Sequence, residues 1–216
     1  MRTILDERGQ RMTILKWLII IVIAIPLLIT ACVAPASAPQ VRPTAKEAYE
    51  MALNHATAKY EDVYLLYLSG LRVSYVTIYS GQPSYLAEGR SDDWKITFAK
   101  PTGPQEYIKI FTTVKSGEIT QTLESDPLRL SSLTWEEQLP YLTIDTQSWN
   151  IDSPEAVRIA MEVSGDGLSL LMLALINDVK YPKWRIVFAP PPGEKGGYSE
   201  FKVEINATNG EVINSP

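Results

Sequence analysis

The chain has 216 residues with 20 basic and 25 acidic side chains, one cysteine and one histidine. Its net charge of −5 argues against a nucleic-acid partner, and the lone cysteine leaves no disulfide within the chain. A lone histidine, His55, rules out a multi-histidine metal site. Stability must therefore come from a packed core, for which 45% apolar residues provide the material.

Arg2, Arg8, Arg11 and Lys16 precede an uncharged apolar run from Trp17 to Leu28, the profile of an export signal that begins at either Met1 or Met12. The run is shorter than the roughly 20 apolar residues of a membrane-spanning helix, and Pro26 sits near its end. Leu28-Ile29-Thr30-Ala31-Cys32 follows, with an apolar residue three before the cysteine and a small one directly before it. This segment resembles the lipobox of bacterial lipoproteins. The resemblance implies diacylglycerol on the Cys32 thiol, cleavage before Cys32 and a membrane-lipid partner through that residue. The expected location is a cell membrane, with the body facing away from the cytoplasm. Loss of residues 1–31 leaves 16 basic and 23 acidic side chains, a net charge of −7.

Residues 32–43 are rich in Pro, Ala and Ser and read as a tether reaching about 30 Å at roughly 3.1 Å per residue. The body beyond it contains an internal repeat. Trp94-Lys-Ile-Thr-Phe-Ala-Lys-Pro-Thr-Gly103 aligns without gaps to Trp184-Arg-Ile-Val-Phe-Ala-Pro-Pro-Pro-Gly193. Ile108-Lys-Ile110 then meets Phe201-Lys-Val203, and Ser116-Gly-Glu-Ile119 meets Asn209-Gly-Glu-Val212.

In chain order, Thr44 and Glu47 are spaced as a capping box, and Ala48, Tyr49, Ala52, Leu53 and Ala56 recur at helical spacing. Val63 to Leu68 is apolar without clear alternation and leans towards strand. Trp94, Ile96 and Phe98 share one face of a strand, Ile108 and Ile110 belong to the next, and Ser116-Gly117 turns the chain into a short last strand. Residues 123–150 hold Trp135, Pro140 and Trp149 and are too apolar for a free linker. Ser153-Pro154-Glu155 places a capping hydroxyl before a helix; Leu168 to Ile176, like Val63 to Leu68, fits a central strand or a buried helix with flanking glycines favouring strand, and Trp184 to Phe188 and Phe201 to Ile205 repeat the strands.

A helix with Glu-Ala and a later Ala, a Trp-x-Ile-x-Phe strand and a Gly-Glu-(Ile/Val) turn, occurring twice, resemble the PepSY-like domain. The resemblance covers roughly residues 44–122 and 151–214, although the first unit lacks the Trp-x-x-Asp lead present at Trp149-Asn-Ile-Asp152 in the second. It implies an α+β fold of two similar units, each a helix packed on a small antiparallel sheet, after the N-terminal signal segment. The expected division is signal 1–31, tether 32–43, first unit 44–122, connecting segment 123–150 and second unit 151–216. The resemblance also implies a binding module, or an inhibitor or regulator of a peptidase, with an envelope protein or peptidase as partner.

The residues offer little chemistry. No Gly-x-Ser-x-Gly elbow, phosphate loop or dinucleotide fingerprint occurs. His55 falls on the first helix, where a surface role is expected. Asp92-Asp93 and Glu136-Glu137 are the acidic pairs from which a calcium site or a two-carboxylate hydrolase would be built; a solvated turn and a helix surface are the plainer readings. Glu118 and Glu211 stand beside equivalent turn glycines, a structural position. Asn206-Ala-Thr208 fits a glycosylation acceptor by coincidence. Recognition falls instead to Tyr60, Tyr64, Tyr67, Tyr75, Tyr79 and Tyr85, and to the loop from Pro190 to Gly197. The expectation is a non-catalytic module without cofactor or metal, with lipid attachment at Cys32 as its assigned site.

Overall fold

The structure, a computed structural model, describes residues 42–71, 88–165, 168–189 and 201–214. Cys32, the export signal, most of the tether, Tyr75, Tyr79, Tyr85 and the loop from Pro190 to Gly197 lie outside the described residues.

Helix α1 (Ala45–Thr57) begins where the sequence places it. Thr44 accepts from the Glu47 N–H and the Glu47 carboxylate accepts from the Thr44 N–H at 2.7 Å, so two of the helix's orphan donors are satisfied reciprocally. Ala45, Ala48, Ala52 and Ala56 are completely buried. This stripe of small side chains brings the helix axis close to the sheet beneath it. Strands β1 (Tyr64–Leu71), β2 (Asp93–Gly103), β3 (Glu106–Lys115) and β4 (Glu118–Glu124) follow, then the short β5 (Leu128–Arg129) and helix α2 (Trp135–Leu142). Helix α3 (Ser153–Ser164) and strands β6 (Ser169–Asp178), β7 (Tyr181–Ala189), β8 (Phe201–Asn206) and β9 (Val212–Asn214) complete the order.

The expected fold of two helix-on-small-sheet units is corrected by the strand pairing. The strands form one nine-stranded antiparallel sheet in the order β4-β3-β2-β1-β6-β7-β8-β9, with β5 paired to β3. Strands β1 and β6 join its two halves, with Tyr67 opposite Ile176, Leu68 opposite Leu175 and Gly70 opposite Leu173. The reason is physical. Two separate sheets would each leave an apolar strand edge with unpaired N–H and C=O groups, and pairing those edges removes both. Leu65, Leu68, Leu173 and Leu175 are buried and Leu66, Tyr67, Met172 and Ile176 half-buried, and register shifts at Leu65/Tyr67 and Leu170/Met172 break the alternation, so the segments at 63–68 and 168–176 are apolar without a clean period of two.

On the helix-covered face the two Trp-x-Ile-x-Phe strands supply the core. Trp94, Ile96, Phe98, Trp184, Ile186 and Phe188 are all 1% exposed or less. Each of the two tryptophans also fixes a helix start. Trp94 Nε1 donates to the Pro43 carbonyl at 2.9 Å and Trp184 Nε1 to the Ile151 carbonyl at 2.8 Å, in each case the residue just before the N-cap.

The helix starts depart from the sequence reading at one residue. The N-cap of α3 is Asp152, not Ser153. The buried Ser153 hydroxyl is turned to α1, where it accepts from the Ala45 N–H at 2.8 Å and donates to the Gly89 carbonyl at 2.6 Å. Asp152 Oδ1 accepts from both Ser153 N (2.7 Å) and Lys46 N (3.1 Å), so one carboxylate serves the N-termini of two helices. A negative charge offsets the two positive dipole ends that converge there.

The connecting segment covers part of the opposite face. Trp135 at the start of α2 packs with Ala99 and Leu130, and its ring lies 5.7 Å from Tyr64 and 5.3 Å from Tyr107. Leu130, Trp135, Leu139 and Leu142 form a second, smaller core, whereas Ile144 and Trp149 of the same segment join the main one.

Candidate functional site

A cleft of about 590 Å³ opens between the end of the connecting segment and the β6–β7 hairpin. One wall is the last turn of α2 and the following residues to Ser148; the other is Asn177 to Pro182, with Tyr64 of β1 at the back. Its volume lies within the range that takes a ligand of a few hundred daltons.

The walls are held by the sheet. Ile144 N donates to the Leu65 carbonyl at 2.7 Å, extending the segment along the start of β1. Thr143 turns its hydroxyl back to the Leu139 carbonyl at 2.7 Å, ending α2. Asn177 Nδ2 reaches across to the Pro140 carbonyl at 3.1 Å, tying the two walls together. Such cross-links give a site formed before any ligand arrives.

Two carboxylates line it, and both have partners. Asp145 accepts from the Ser148 hydroxyl and from Gln147 N at 3.0 Å. The Ser148 hydroxyl holds the Asp145 carboxyl below its ordinary range, although burial works against this. Asp178 pairs with Lys183 at 2.9 Å. Lys183 also reaches Glu204, whose side chain is 8% exposed and contacts Arg185 at 3.0 Å and Lys202 at 2.9 Å as well. Burial raises the Glu204 pKa, but Lys202, Lys183 and Arg185 together bring it down to about 2. The cleft therefore ends against a network of paired charges. Thr146, near its mouth, bonds the side chain of Tyr49, whose phenol is pushed up chiefly by burial.

The structure scatters most residues singled out by sequence. Tyr64 lines the cleft, whereas Tyr60 is buried beneath α1 with its hydroxyl on Glu124. Tyr67 is half-buried within β1. His55 is exposed on α1. Asp92 pairs with Arg42 at 2.8 Å, and Asp93 starts β2. Glu136 and Glu137 occupy the first turn of α2, and Glu137 closes a capping box with Thr134. Glu118 and Glu211 are exposed beside their turns. Asn206 is buried and its Oδ1 accepts from Thr208 N at 2.8 Å, so the glycosylation-like triplet is a folded turn. Among the described residues no group of three or more His, Cys, Asp or Glu side chains is placed to hold a metal ion. Sequence reading missed Asp145, Gln147, Asn177 and Tyr181, because two distant segments of ordinary turn residues make the site.

No protein-family model matches the chain, and no curated protein matches it. A solved structure does. The chain shares its fold with a protein of Clostridium difficile 630 that is provisionally named a lipoprotein. The two are 15% identical at a TM-score of 0.50, over 84% of this chain and 95% of the other. Among the described residues no helix is long and apolar enough to cross a membrane.

Proposed function

We propose that this chain is a lipid-anchored, non-catalytic binding module on the outer side of a membrane, attached through Cys32 once residues 1–31 are removed. The observation that carries the reading is Leu28-Ile29-Thr30-Ala31-Cys32 directly behind an uncharged apolar run, with the chain's single cysteine at the position the lipid would occupy. Two or three acyl chains at about 0.8 kcal/mol per buried methylene make release negligible, and the anchor needs no transmembrane helix. The provisional name of the structural neighbour supports the same assignment. The cleft supports recognition as the body's task, because its two carboxylates are engaged within the protein, Asp145 by the Ser148 hydroxyl and Asp178 by Lys183.

A second reading, a peptidase regulator, is favoured by the PepSY-like residues. Trp94, Ile96 and Phe98 on β2 and Trp184, Ile186 and Phe188 on β7 occupy matching places on either side of the β1–β6 seam.

Membrane fractionation of Cys32→Ala against the parent chain tests the anchor. The variant is expected in the soluble fraction or as an uncleaved precursor, and a variant that sediments and is processed like the parent overturns the reading. Crosslinking in the producing cells, followed by mass spectrometry, separates the two tasks. An enriched peptidase whose activity falls in proportion to added protein supports the regulator.

A further inference from the structure

We propose that the outer edge of β4 docks an extended segment of a partner protein in which basic and apolar residues alternate; this rests on the reading of the body as a binding module. Strand β4 ends the strand order, and β5 pairs with β3 further along rather than with β4, so among the described residues no strand covers that edge. The bonding phase tells which groups the edge presents. Ser125 N donates to the Lys109 carbonyl at 2.9 Å, and the register carries that bonded pair in steps of two to Phe111–Leu123 and Thr113–Gln121. Thr122 and Glu124 fall between these pairs. Their N–H and C=O groups therefore point away from β3, to where an added strand would meet them.

Sheets guard such edges with lysine, proline or a bulge. Here the guards stand only at the ends of the strand: a register shift beside Thr113 and Val114 near the turn, and Pro127 beyond Glu124. Residues 121–124 between them carry neither, and the stretch 118–127 holds Glu118, Glu124 and Asp126 with no lysine or arginine.

The two faces of the edge differ. On the face turned from α1, Leu123 is 52% exposed and lies opposite Phe111, itself 43% exposed, an apolar step on which every second side chain of an added strand would pack. On the face towards α1, the exposed Glu124 carboxylate accepts from Lys59 at 2.7 Å and from the Tyr60 hydroxyl, and its charge favours a basic side chain beside it. Alternation in the edge thus selects alternation in the partner, while the outward backbone groups supply main-chain bonds. A second copy of this chain fits less well, because its own β4 brings the same carboxylates to the contact.

The full chain, purified in detergent, is mixed with a blocked heptapeptide of alternating lysine and valine, and amide-resolved hydrogen exchange is followed along β4. Saturable slowing of at least tenfold is expected at Thr122 and Glu124, with little change at Leu123, which already bonds Phe111. Thr122→Pro removes one outward N–H and spares the β3 bonds of Gln121 and Leu123, so it should weaken binding at least tenfold. Should that variant fail to fold, N-methylation of every peptide bond in the heptapeptide makes the same test from the other side and is expected to abolish the slowing. No slowing, or equal slowing by a heptapeptide with glutamate in place of lysine, overturns the assignment. Slowing at the same amides that rises with protein concentration and needs no peptide puts a second copy on the edge and overturns it too. Crosslinking in cells judges the binding-module reading separately: a partner held away from β4 overturns the edge assignment alone, and no partner overturns the module reading.

Discussion

Replacing Ser153 with alanine removes one oxygen that joins three parts of the chain. The hydroxyl accepts from Ala45 N in the first turn of α1 and donates to the carbonyl of Gly89, and both Ser153 and Ala45 are completely buried. Alanine fits the space but leaves a buried donor and a buried acceptor without partners. Each such orphan costs about 1–3 kcal/mol. Partial rescue of Ala45 N by Asp152, which already serves Lys46 N and Ser153 N, keeps the expected loss at about 2–4 kcal/mol. For a domain of this size that lowers the melting temperature by roughly 5–15 °C. The assay is thermal unfolding by circular dichroism, with exposed Thr57→Ala as control. Because one sheet spans both halves, the variant is expected to melt in a single transition. A shift no larger than the control's, or a split into two transitions, would refute the view that the helix starts clamp one continuous body.

Three further outcomes follow from the same geometry. Glu204, lowered from 4.5 to about 2 in the folded state, contributes on the order of 3 kcal/mol above pH 4.5. That contribution is lost as pH falls through about 2; Glu204→Gln should be destabilised at neutral pH and flatten the melting profile below pH 4, and an unchanged profile contradicts the network. Gly89→Ala should prevent folding, because φ is +68° and an added Cβ would lie 2.3 Å from Pro154 N. Gly165→Ala, at φ +81° with nothing within 4 Å, should cost only about 1–3 kcal/mol of backbone strain; equal losses in soluble yield for the two would refute this contrast.

The local elements were legible because their signals are local. The Thr44–Glu47 capping box, the alanine stripe of α1 and the alternation of Trp94, Ile96 and Phe98 each lie within a dozen residues and appear in the structure as read. The β1–β6 seam was not legible. Leu68 and Leu175 are separated by more than a hundred residues, and an apolar run carries no record of which edge it pairs with. Ser153 misled for a similar reason: its position before Pro154 suits a cap, but Asp152 one residue earlier takes that role and frees the hydroxyl for α1. The cleft escaped because Asp145, Ser148, Asn177 and Asp178 are ordinary turn residues until the sheet brings their segments together.

The anchor is the claim on which location and display both depend, and intact-mass analysis of the protein extracted from membranes tests it most directly. The expected species is a chain beginning at Cys32, lacking residues 1–31 and heavier than its peptide mass by a diacylglyceryl group, with or without an added acyl chain. A chain that retains residues 1–31, or begins elsewhere with an unmodified Cys32, would contradict it.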